Sequence, residues 1–542
     1  MTKASEQLVY EHLGERALAY LLATDVVAIR TRFTPGEDTE SLDHGREVVL
    51  AQLVGLDEQM RTWNQPEQFL TSEWSRKLAE RHESADMSIG NYARQLSGGI
   101  LQSIPTNLGP PEEALARLAL ESYPGLSVKE PEGPFGRWGM PISLFRHPLN
   151  DAFQDVVMQD HDLKMLFPDS NESVGPSGST MRSSGQGGTH QIWTFAETII
   201  MSGWKSAHAK LENPSAEDHL IAVLENLAIV RSAVRSELVT IPARLGLVGV
   251  LLPEGVDNVD LGWALIRRAD QRDGQFANVT SLDGQLTTTT PAGETVVINY
   301  SGDLVVEFEV PYVVQLESFN MADEWPDALR GGQDLIAEIA QNIRLGLLLA
   351  SPEKRLILVP TWQVSLDPFT QGTGASWFDA KQTPGLMPTQ LTVEQVAEWQ
   401  EWSVRVAKHR IPSIDVAIRR MLAAVAERRT PDDVLVDAVI VWENLFGART
   451  ETTLRVTSSL AWLLGASAAD RRARQTRYKK IYGTRSDVVH GATTVDQKRL
   501  LEVSAEAVQV SVEALRAIFG RRSALLESKT SEDRSLQILH EG

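Results

Sequence analysis

Between residues 430 and 520 the chain is punctuated by helix starts and stops so regularly that little besides a helical bundle can accommodate it. Thr430-Pro431-Asp432-Asp433 supplies an N-cap, a proline at the first helical position and acids in the first turn. The run Val434 to Phe446 is apolar nearly all round, which predicts a buried helix, and Gly447 stops it. Thr450 opens a second helix that ends at Gly465, and Ser467-Ala468-Ala469-Asp470 caps a third. Thr494-Val495-Asp496-Gln497 has the form of a capping box for a fourth, which ends at Gly520. Short connections between such helices predict an antiparallel bundle, and helical patterning extends it over 391–542.

The rest of the chain reads differently, and the whole predicts an α+β protein. With 542 residues, two to four domains are expected. Residues 1–168 form a helical and mixed region, with helices from Glu47 to Leu56 and Ser72 to Glu83 and a break at Gly109-Pro110-Pro111. The Ser/Gly-rich stretch 169–188 reads as a linker or loop. Residues 189–390 form an α/β region. Its helix Leu220 to Val234 is opened by the capping pattern Ser215-Ala216-Glu217-Asp218. From 245 to 314, β-prone runs (Val248 to Leu252, Ala277 to Thr280, Thr295 to Tyr300, Leu304 to Val310) alternate with Asp-Gly, Ala-Gly and Gly-Asp turns, which predicts an antiparallel meander. A helix from Asp334 to Ala350 and a strand from Leu356 to Val359 follow. There is no internal repeat.

Composition removes several classes of function. The absence of cysteine excludes disulfides, thiolate metal sites and cysteine nucleophiles. Asp160-His161-Asp162 lacks companion ligands at metal-site spacing and reads as a surface turn; His208 and His219 read as ordinary helix residues. No metal or cofactor is expected. The N-terminus has no apolar signal-peptide region and no run approaches the ~18 residues of a membrane span, so a cytoplasmic protein without membrane contact is expected. The net charge of −20 argues against a nucleic-acid partner, but it is unevenly spread: 1–400 carries −25 and 401–542 carries +5.

The basic excess centres on the third helix of the bundle, which holds Arg471, Arg472, Arg474, Arg477, Lys479 and Lys480 against Asp470 alone. Tyr478, Tyr482, Arg485 and Val489 follow at spacings of four, three and four, so a helix persisting to Val489 carries Arg485 on its apolar stripe. An arginine there needs an anionic partner. His490 precedes Gly491 and falls at a helix C-terminus, where the dipole favours its protonated form. Such a pair suits phosphodiester cleavage: a histidine moves the proton of a ribose 2′-hydroxyl or of the leaving oxygen, and an arginine grips the phosphate. The structural alternative pairs Arg485 with Asp487 or Glu443. Five helical steps of ~100° leave the two side chains ~140° apart, so one phosphate needs a bent helix end or a second protomer. Glu443 lies in the predicted buried helix, where Arg485 or Arg455 would hold it unless it is part-exposed.

The segment Pro431 to Phe519 resembles the HEPN superfamily, most closely its Apea-like branch. The resemblance rests on Tyr482-x-x-Arg485-Ser486-x-x-x-His490-Gly491, on the earlier Val441-Trp442-Glu443-Asn444-Leu445, and on Ala461-Trp462-Leu463-Leu464-Gly465, in that family's order. It implies a metal-independent endoribonuclease, often dimeric, acting as a toxin or in anti-phage defence. Arg485 would bind the phosphate and His490 act as general acid/base. Tyr482, Ser486, Asp487 and Glu443 would support them, and the basic helix would contact RNA. Many active members carry Asn, Asp or His after the arginine, where this chain has Ser486. Non-catalytic members exist, so a dimerisation or RNA-binding module is the alternative. With the nuclease, the N-terminal region would sense or regulate through a trigger that the sequence does not name; with the alternative, it would do the main work of recognition.

Overall fold

Helices at both ends of the chain enclose an antiparallel sheet, so the protein is α+β. The computed structural model describes residues 2–36, 41–62, 67–129, 147–167, 178–183, 187–274, 285–289, 295–299, 302–315, 327–369, 374–378, 388–491 and 496–541, with positions 144, 276, 383 and 386 between them. Among the described residues no helix is long and apolar enough to cross a membrane.

The N-terminal helices include Lys3–Leu21, His44–Arg61, Glu67–Ala79 and Pro110–Leu126. The first three close over a core of Val9, Leu13, Leu50, Leu53, Trp74 and Leu78, whereas Pro110–Leu126 buries Leu115, Leu118 and Leu126 in the main core. Local chemistry starts them where it should: Asp25, Asp43 and Ser88 each accept from a backbone N–H three residues on. The expected helix Glu47 to Leu56 lies inside His44–Arg61, while the one expected to reach Glu83 ends at Ala79. Lys3–Leu21 is broken at Gly14 (φ 77°, ψ 168°). Lys129 N–H donates to the Leu13 carbonyl across that break at 2.8 Å.

The sheet departs from a sequential meander. Its spatial order is Gly374–Trp377, Val359–Ser365, Val239–Val248, Leu304–Tyr312, Leu265–Arg268, Asn258–Asp260. Val239–Val248 pairs with Leu304–Tyr312 (Ile241 opposite Val310, Leu247 opposite Leu304) and, on its other side, with Val359–Ser365. Turn residues mark where strands end, but the largely buried strand Val239–Val248 takes the centre, where both of its edges are covered. The apolar run Leu356 to Val359 is not itself a strand. Arg355 turns the chain at φ 48°, and the strand starts at Val359. Gln285–Thr289 and Thr295–Asn299 form a separate hairpin. The expected strand Ala277 to Thr280 lies outside the described residues.

Part of the expected linker is also strand. Gly178–Ser183 pairs with Gly187–Gln191, and its end pairs with Val314–Gln315. Ladder hydrogen bonds from a distant segment supply what the Ser/Gly composition does not advertise.

At the C-terminus, Pro431–Phe446 lies at the centre of the helical bundle. It packs against Asp415–Ala426, Thr452–Leu464, Gln497–Phe519 and Ser531–Glu541. Its Leu435, Ala438, Val439, Val441, Trp442, Leu445 and Phe446 are fully buried, as an apolar all-round helix requires. Thr430 caps it and Ser467 caps Ala468–Val489. Thr450 does not open the second helix, which starts at Thr452 after Glu451 in the left-handed region. Asp496 caps Gln497–Phe519 by accepting from Arg499 N–H; Thr494 lies outside the described residues. Packing runs across position 390: Asp327–Ala350 lies along Val393–His409, and Trp399 Nε1 donates to the Ile343 carbonyl at 3.0 Å.

Candidate active site

Ala468–Val489 is one continuous helix through Arg485, so of the two alternatives the spacing left, a bent helix end is not formed; the helix ends where Gly491 was expected to end it. His490 caps the helix, its N–H donating to the Ser486 carbonyl at 3.0 Å, and Gly491 takes φ 65°. Tyr478, Ile481 and Thr484 form the buried stripe. Tyr482 and Arg485 stand half-buried beside it, whereas Val489 is exposed.

Arg485 meets the central helix through Glu443. Its Nη2 lies 3.7 Å from one Glu443 oxygen, and the Tyr482 hydroxyl donates to the other at 2.5 Å. Of the alternatives open in the sequence, Glu443 is therefore the carboxylate facing Arg485. Asp487 is exposed, and Arg455 pairs instead with Glu532 at 3.1 Å. Burial and then the Glu443 carboxylate push the Tyr482 hydroxyl up to about 12, so it stays a donor. The Arg485–Glu443 contact is longer than the 2.7–2.9 Å of a charge-assisted hydrogen bond, and Arg485 Nε is buried with no partner. The guanidinium is thus positioned without being saturated. His490 is exposed, and its ring makes no hydrogen bond or ion pair with the described residues. On an unbent helix it stands ~7.5 Å along the axis and ~140° around it from Arg485.

The fold consumes half of the basic set. Arg471 lies over the Trp462 ring at 3.7 Å and donates to the Gly465 carbonyl, capping the preceding helix. Arg474 pairs with Asp470 and donates to the Tyr478 hydroxyl at 3.2 Å, and Arg477 pairs with Glu506. Arg472, Lys479 and Lys480 are exposed and pair with no described carboxylate. These three make up the basic face the helix offers to solvent. Asp160 and Asp162 are engaged by Arg231 and Arg235 at 2.8 and 2.6 Å.

Sequence reasoning missed Arg534. Its side chain is fully buried, and it donates to the carbonyls of Asn444 (2.9 Å), Leu445 (3.0 Å) and Ser528 (3.1 Å) and to Ser413 Oγ (3.0 Å). It satisfies the carbonyl end of the helix that presents Glu443, so it stands behind the Glu443–Arg485 contact. Burial lowers its pKa to about 10, which leaves it charged at neutral pH. No local pattern marks it, because its partners are remote in sequence.

No protein-family model, curated protein or solved structure matches this chain.

Proposed function

We propose that this protein is a metal-independent endoribonuclease of the HEPN type, serving as a toxin or anti-phage effector, with the N-terminal region as its regulator. The observation that carries the reading is the end of the basic helix. An incompletely paired Arg485 is braced by Glu443 and Tyr482, and an exposed His490 follows at the helix stop. Arg485 would hold the scissile phosphate and neutralise charge developing on it. His490 would take the 2′-hydroxyl proton and return one to the leaving oxygen. Arg472, Lys479 and Lys480 would hold the flanking backbone. Because the helix is straight, the Arg485 of one protomer would serve with the His490 of another, in a homodimer formed through the bundle.

The test is RNA cleavage in EDTA. Arg485→Ala and His490→Ala should each lower the rate by about 10²–10⁴-fold with unchanged circular dichroism. Mixing the two inactive variants should restore activity, since a mixed dimer keeps one complete site. Cleavage that survives both substitutions, or that needs a divalent ion, overturns the mechanism. The ion pair with Glu443 favours one second reading, in which Arg485 is structural and the bundle is a non-catalytic RNA-binding module. RNA binding would then depend on Arg472 and Lys479 and be indifferent to His490→Ala.

A further inference from the structure

Two cavities of about 600 and 440 Å³ adjoin where the N-terminal helices meet Ile192–Lys210, and Arg16, Ser127, Trp204 and Asn213 line both. Volumes of this order belong to small-molecule sites. The wall is built around the break at Gly14, a lining residue itself, two positions before Arg16.

Arg16 is the unusual group. Its guanidinium donates to Nε2 of His208 at 2.5 Å, and no carboxylate among the described residues pairs with it. His208 accepts because it is neutral: burial holds it down at about 4, and its Nδ1–H donates to the Trp204 carbonyl at 3.0 Å. Arg30, in the same cavity, is bound at both ends by Glu15 at 2.7 and 2.8 Å. Arg16 is therefore an exposed cation with its geometry set by a neutral ring; the neighbouring Glu15 feels its charge but gives its hydrogen bonds to Arg30. The same cavity is lined by rings: Trp204 packs on His208 with centroids 4.1 Å apart, and Tyr10 stacks on Phe33 at 4.6 Å.

We propose that this cleft binds a mononucleotide, with Arg16 on its phosphate and its base against Tyr10. The chemistry is that of a forked guanidinium for a phosphate and aromatic surface for a planar heterocycle. The site lies in the region read as regulatory, yet it stands independently of the nuclease reading, because binding is measured without RNA.

The experiment is calorimetric titration of the full chain with AMP and GMP, with adenosine and inorganic phosphate as separate arms. At least one nucleotide should bind more tightly than either fragment. Arg16→Ala should weaken it by about tenfold or more, and Arg30→Ala by much less. Arg16 is exposed, so a melting temperature unchanged by its removal separates lost binding from lost folding. The proposal is overturned if neither nucleotide binds at millimolar concentration, or if binding is unaffected by Arg16→Ala. It is equally overturned if adenosine or phosphate alone binds as tightly as the nucleotide.

Discussion

Replacing His219 with phenylalanine should stabilise the protein far more in acid than at neutral pH. His219 lies on Ala216–Val234, fully buried between Tyr123 and Trp204, with ring centroids 5.9 and 5.6 Å away. Neither ring nitrogen has a hydrogen-bond partner. Burial, reinforced by nearby His208, depresses its pKa from 6.5 to about 3. The unfolded chain therefore takes up a proton near pH 6.5, which the folded chain refuses until about pH 3. Between those values the unfolded state binds more protons, so stability falls as pH falls. At pH 5 the loss attributable to His219 is about 2 kcal/mol, and at pH 8 it is close to zero. Phenylalanine carries no proton and leaves no orphaned ring nitrogen, worth a further ~1–3 kcal/mol at any pH, less whatever its larger ring costs in strain. The constant part cancels when the variant is compared with the parent at both pH values. Urea denaturation at pH 5 and pH 8 should thus give a difference of about 2 kcal/mol in the variant's relative stability, favouring it in acid. A difference near zero would show that folded His219 titrates normally, and the reasoning from its burial would fail.

Two further outcomes follow from the backbone and the bundle. Arg534→Met should lower the urea midpoint by the equivalent of about 3–4 kcal/mol, because it strips buried carbonyls of their donors, and Arg534→Lys should not restore it, since one ammonium cannot span the guanidinium's positions. Gly14→Ala should cost about 1–3 kcal/mol in thermal or urea unfolding. The cause is twofold: φ is 77°, and a new Cβ would lie 2.8 Å from Lys129 Cβ.

Much of the helical framework was legible because its signals are local. A cap reaches only three residues along the chain, so Thr430, Ser467 and the Ser215–Asp218 box could be read directly, and each forms. The apolar girth of Val434 to Phe446 announced its burial, and Gly491 announced the stop after Arg485. Where a local signal had a rival close by, the start lies a residue or two away: Thr452 rather than Thr450 starts the second helix, and Asp496 caps the fourth.

The sheet and the site's second layer were not legible in that way. Turn residues located strand ends, yet strand order depends on which surfaces are buried together, and this placed Val239–Val248 between two strands far along the chain. Net basic charge on the third helix was visible in composition, but which cations remain free was decided by acids and carbonyls brought in by other helices. By itself the sequence determined that a capped helical bundle contains an Arg/His-bearing helix of opposite charge to the rest of the chain. Only the tertiary structure decided that Glu443 and Tyr482, 39 residues apart, brace Arg485 together. It also decided that Arg534 secures the Glu443 helix from 89 residues away, and that Arg16 faces a neutral histidine. The physical reason is range: capping and periodicity act within a turn of chain, whereas ion pairing and burial are settled by whatever the fold brings within a few ångströms.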